Sequence, residues 1–187
     1  MATRVPETMV TEPVGKLMEC LFATPPTNWL ELNGDTVGSA SSGATQAHAD
    51  YQTLFELLWN ELADTEAPVG GGRGASANAD WTANKTITLP DARGCAIIGA
   101  GTGSYAGATA RIIGDFVGSE THTLVEAEIP AHTHEVESGA VAGREGSGGI
   151  NVRQGSANVT SQSTGGGGAH ANMQPSLVAH IFIKAKP

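Results

Sequence analysis

DYQTLFELLWNEL, residues 50–62, is the stretch on which the fold reading turns. Tyr51, Leu54, Phe55, Leu58 and Leu62 recur at the three- and four-residue steps that line one face of an α-helix. Asp50 stands where an N-cap would accept the first free amide protons. Pro68 and the run Gly70–Gly72 end any continuation. An apolar and aromatic stripe at this spacing belongs against a core.

Outward from this helix the period changes from helical to alternating. Toward the N-terminus, LMECLF at 17–22 reads as a strand, Pro25-Pro26 forces a turn, and Asn28–Leu32 restarts a strand that Asn33-Gly34 ends. Toward the C-terminus, residues 64–80 are rich in Gly, Ala and Asn and read as loop. Lys85–Leu89 reads as a strand stopped by Pro90-Asp91. Cys95–Ile98 is a short apolar run, Arg111-Ile112-Ile113 a further short strand, and Leu177–Lys184 a closing strand. Residues 138–169 are rich in Gly and Ser and show no apolar period, a longer loop than a compact domain ordinarily carries. The fold class expected is mainly β with one clear α-helix (α+β).

Of the 187 residues, 40% are hydrophobic, enough for one core, and only 16% are charged, so part of the surface is expected to lie against other chains. A net charge of −9, with no run of Lys or Arg, repels nucleic-acid phosphates and argues against that partner. MATRVPETMVTEP at the N-terminus has no apolar h-region, and no segment has the apolar length to cross a bilayer. Synthesis in the cytoplasm without membrane insertion is the expectation. Cys20 and Cys95 stand far apart in no CxxC arrangement and are expected as buried free thiols. Gly99–Gly103 reads GAGTG, but no GK[ST] and no helix-forming stretch follow, so a turn-rich loop is a better reading than a phosphate cradle. Asn84-Lys-Thr86 and Asn158-Val-Thr160 match the glycosylation sequon, and with no secretory leader expected both are read as chance matches.

Six histidines occur, and three fall in the text from Thr121 to His134. His132 and His134 are two apart, which on a strand puts both imidazoles on one face, roughly 7 Å apart. Two imidazoles are half a ligand set for a first-row metal. One chain could complete it with His122, His170 or a carboxylate such as Glu135, leaving a water position as in an enzyme. Three chains round a threefold axis could instead supply six nitrogens. Ordinary surface or hydrogen-bonded histidines are the third alternative.

The segments also fall in an order that resembles a known family. Val14-Gly-Lys-Leu17, PTNWLELNGD at 26–35, YQTLF at 51–55, TLPDARG at 88–94, GAGTG at 99–103, GSETHTL at 118–124, EIPAHTH at 128–134, NMQPSL at 172–177 and IFIK at 181–184 resemble the phage tail collar proteins. These are the short tail fibres and fibre tips of tailed phages and their bacterial relatives, the microcystin-dependent proteins. The likeness spans about residues 14–184, and the ordered set is more specific than any single piece.

The resemblance implies an N-terminal attachment arm at 1–14, a tail collar-like domain at 15–116, and an intertwined trimeric tip at 117–187 whose variable loop 138–169 meets the receptor. It implies a homotrimer, an iron or zinc ion shared on the trimer axis by His132 and His134, with His122 and His170 near the site, and no catalytic residues. The function implied is a structural virion protein, a tail fibre or spike tip attaching to a host surface glycan or protein. Residues 1–14 would grip other virion proteins of the tail, baseplate or fibre. The family's long shaft has no counterpart here, so a head-associated fibre or decoration protein is an alternative. A metal-dependent polysaccharide-degrading enzyme, with Glu128 and Glu135 flanking the histidine pair, is another. The localisation implied is the virion.

Overall fold

The computed structural model describes residues 12–132 and 166–187. Two compact units divide it: the chain to Val117 together with Ser176–Pro187, and Gly118–Pro175. The class is α+β, small sheets around one well-formed helix, as the sequence implies.

In the first unit, β1 (Leu17–Cys20) and β2 (Trp29–Glu31) both pair antiparallel with β8 (His180–Lys184), in the order β1-β8-β2. Met18 and Glu31 both face Phe182 in the register, and Leu30 faces Ile183. The strand expected in the second segment, 117–187, therefore fills the centre of a sheet begun in the first. Its reach is also shorter than Leu177–Lys184. Leu177 and Val178 lie outside the ladder and stay exposed. The C-terminal residues are tied down by Ala185 N–H donating to the Asn28 carbonyl at 2.8 Å and the Asn28 amide donating to the Pro187 carbonyl at 2.9 Å.

A second sheet has the order β4-β3-β5. β3 (Thr36–Gly38) runs parallel to β4 (Gln46–Ala47) and antiparallel to β5 (Thr86–Thr88), bringing fully buried Val37 opposite fully buried Ile87. Helix α1 (Gln52–Glu61) buries Leu54, Phe55 and Leu58 in the same core as these residues, Leu30 and Ile183. Each such side chain, fully withdrawn from water, contributes about 1.5–3 kcal/mol.

The cap differs from expectation. A short 3-10 turn, Ala49–Tyr51, precedes α1, and His48 Nδ1 accepts the Asp50 N–H at 3.1 Å. Asp50 is thus the donor's residue and not the cap. The accepting ring nitrogen lies two residues before it, where extended backbone turns it back on the chain.

Within the expected loop 64–80 begins a second helix, α2 (Ala77–Thr82). It is too short to show a period and is held by tertiary contacts. Ser76 Oγ caps it by accepting the Ala79 N–H at 3.2 Å. Asp80, 2% exposed, is its anchor. Its Oδ2 accepts Trp59 Nε1–H at 2.9 Å and Gly74 N–H at 2.8 Å, and Oδ1 lies 2.7 Å from Lys85 Nζ. Burial pushes this carboxyl up, but hydrogen bonds from Gly74, Lys85 and Trp59, together with the Lys85 charge, outweigh it and hold the acid below its ordinary 3.8. A Cβ at Gly74 would collide with the Asp80 carboxylate, so only glycine permits this approach.

Residues 92–117 carry little regular structure. Gly101 and Arg111 exchange backbone hydrogen bonds of 2.8 and 3.0 Å, an isolated bridge in place of the strand expected at Arg111–Ile113. Cys20 is half-buried and Cys95 is exposed, both free. The expectation of burial fails for Cys95 because the apolar run it begins is not covered by the chain's own core.

In the second unit, β6 (Thr121–His122) pairs antiparallel with β7 (His170–Ala171), and a 3-10 turn at Glu126–Glu128 follows β6.

Candidate functional site

Strand pairing in the second unit brings together two of the four histidines singled out from the sequence. His122 and His170 are direct partners in the β6–β7 register, with rings edge to face and centroids 5.9 Å apart. His122 Nε2 lies 2.7 Å from Glu128 Oε2, and the same oxygen accepts Val125 N–H at 2.9 Å. The Val125 amide first, then the His122 imidazole, hold the Glu128 carboxyl below its usual range. The pair is on the surface, with both side chains about two-fifths exposed, where such contacts are worth little.

Chemically this is a hydrogen-bonded couple. The Glu128 Oε2 oxygen meets both the Val125 amide and His122 Nε2, a contact that orients the His122 ring. His132 lies outside any strand, its Nδ1 3.0 Å from the Pro130 carbonyl oxygen. His134 and residues 138–165 of the loop fall outside the described residues, as does most of the arm at 1–14. Among the described residues, no group of three or more His, Cys, Asp or Glu side chains is placed to hold a metal ion.

The first unit holds a feature that sequence reading passed over. His180 Nδ1 lies 2.7 Å from Glu31 Oε1, and its ring stacks on buried Phe182 with centroids 5.9 Å apart and planes 4° from parallel. His180 and Glu31 border a cleft of about 260 Å³ whose apolar walls include Leu21, Leu32, Val178 and Ile181. Arg93 stands at the same cleft, its guanidinium bound at both ends to Asp91 (Nε to Oδ1, 2.8 Å; Nη2 to Oδ2, 2.5 Å). The Arg93 side chain is the chief cause of a lowered Asp91 pKa. The text signal was present, since Glu31 and Arg93 sit in PTNWLELNGD and TLPDARG, but only the β2–β8 register joins the first to His180.

Large apolar side chains are also left in water. Ile97, Ile98, Tyr105, Ile112, Ile113 and Phe116 are 51–73% exposed, and Leu21, Leu177 and Val178 are 75–88% exposed. Single exposed leucines are ordinary, but runs of this kind mark interaction surfaces.

The fold and these features define a small α+β domain with a surface histidine–carboxylate couple, a small cleft and extensive uncovered apolar surface. Compared with known proteins, the chain matches no family model, no curated protein and no solved structure.

Proposed function

We propose that the chain is a structural protein of a tailed-phage particle, a trimeric fibre or spike tip that attaches the particle to a glycan or protein of the host surface. Two things support the reading: the ordered set of collar-like segments between residues 14 and 184, and the uncovered apolar side chains of residues 97–117 and 177–178. The second carries it, because a chain that leaves this much apolar surface in water gains stability by covering it with further chains. Low charge content suits the same end.

Under this reading residues 138–169 meet the receptor and residues 1–14 grip another virion protein. Three copies at one tip multiply a weak single-site affinity. An iron or zinc ion on the axis, bound by His132 and His134 from each chain, would close the tip as a structural site.

Sedimentation of the untagged protein tests the assembly, and binding to intact host cells tests the attachment. The expected species has three times the 19.1 kDa chain mass. It should bind cells, and a version with 138–169 replaced by a short Gly-Ser linker should keep its mass and lose cell binding. A monomer at all concentrations that binds no cells refutes the proposal.

A further inference from the structure

Among the described residues of the first unit, two apolar surfaces stay uncovered, and they differ in kind. One is an arm, residues 97–117, pinned near its middle by the Gly101–Arg111 bridge and presenting Ile97, Ile98, Tyr105, Ile112, Ile113 and Phe116. The other is a wall at the end of the β1-β8-β2 sheet, presenting Leu21, Phe22, Leu177 and Val178. The wall is backed by core. Phe22 stacks on Phe182 (centroids 5.9 Å apart, planes 22° from parallel), Phe182 is fully buried, and His180 stacks on the same ring. Leu21 and Val178 both line the 260 Å³ cleft, so the wall contains a socket for an inserted side chain.

We infer that the arm of one copy packs on the wall of the next, an asymmetric contact between unlike patches. This rests on the self-assembly proposed above and names the surfaces that carry it. Area supports it. Exposed by half to three-quarters, the six arm side chains offer on the order of 800 Å², above the 300–600 Å² of the largest patch on an ordinary monomer. The four wall side chains offer on the order of 600 Å². Together they approach the roughly 1,600 Å² total of a stable protein–protein interface.

The pairing of unlike patches follows from economy of cover. Arm against arm leaves every wall wet, and wall against wall leaves every arm wet. Arm on wall covers both with one repeated contact, and each added copy leaves one arm and one wall open until the assembly closes into a ring.

Two variants test it, an arm variant (Ile112→Asp with Ile113→Asp) and a wall variant (Leu21→Asp with Val178→Asp). All four positions are exposed in one copy, and circular dichroism checks that each variant is folded. Each alone should sediment as a monomer. Mixed in equal amounts they should give a dimer of one of each and nothing larger, since the pair retains one intact arm and one intact wall. Either variant remaining fully assembled, or a mixture that stays monomeric, overturns the inference. Should an aspartate variant fail to fold, chains lacking Cys20 and Cys95 and carrying Ile113→Cys or Val178→Cys replace it. Oxidised dimers should then form between unlike chains in preference to like ones, and the reverse preference overturns the inference. A wild-type chain that is monomeric refutes the assembly proposal itself. An assembled wild type with both variants still assembled refutes only these surfaces.

Discussion

Asp80→Asn is the substitution whose effect the structure defines most closely. The side chain keeps its shape and loses its charge, so packing is constant and only the three donors are affected. Trp59 Nε1–H and Gly74 N–H meet Oδ2, while Lys85 Nζ meets Oδ1. An amide has one accepting oxygen, so its NH2 must face either the two neutral donors or the ammonium. Hydrogen bonds to a charged group contribute about 1.5–3 kcal/mol, and removing one partner of a buried ion pair costs about 3–5 kcal/mol. Lys85, whose side chain is 26% exposed, recovers part of this by turning to water. The expected loss is about 3 kcal/mol, a fall in Tm of roughly 10 °C.

Urea unfolding followed by circular dichroism at several pH values measures both the size and the origin of this loss. The Asp80 pKa is depressed in the folded chain, so the unfolded state binds more protons below the ordinary value of 3.8. Its stabilising contribution is therefore complete above 3.8 and is lost as pH falls through the lower folded value. The gap between wild type and Asp80→Asn should be constant from neutral pH to about 5 and narrow below about 4. A loss under about 0.5 kcal/mol, or a gap unchanged down to about pH 2, would falsify the assignment of Asp80 as the charged anchor of α2.

Phe55→Ala empties a fully buried position that meets Trp81 edge to face at 5.5 Å, and should cost about 3–5 kcal/mol in the same unfolding assay. Ser76→Ala removes the α2 cap and should cost about 1 kcal/mol, with Ser76→Asp close to wild type. Under the proposed axial site, elemental mass spectrometry of untagged protein should find about one iron or zinc ion per three chains. His132→Ala should release it. About one ion per chain would point to a self-contained site and reopen the enzyme reading.

What could be read from the text alone was whatever repeats within a few residues. Tyr51, Leu54, Phe55 and Leu58 announce α1 because helical neighbours are three and four apart, and the apolar runs at 29–32, 86–89 and 181–183 announce strands for the same local reason. The order of segments carried the family resemblance and, with it, attention to His122, His132, His134 and His170. Locally only the Ser76 cap marks α2, too short to show a period, and its six residues are held as a helix where Asp80 meets Trp59 and Lys85.

Pairing was decided by tertiary structure. β8 enters between β1 and β2, and that placement alone brings His180 to Glu31, 149 residues away in the chain. The β6–β7 register likewise turns His122 and His170, distant in sequence, into ring neighbours, with Glu128 2.7 Å from His122 Nε2. Exposure was decided there too. Ile112 and Ile113 read as a short strand and lie instead outside any strand and exposed, as Cys95 does, because an apolar side chain favours burial without specifying what supplies the cover.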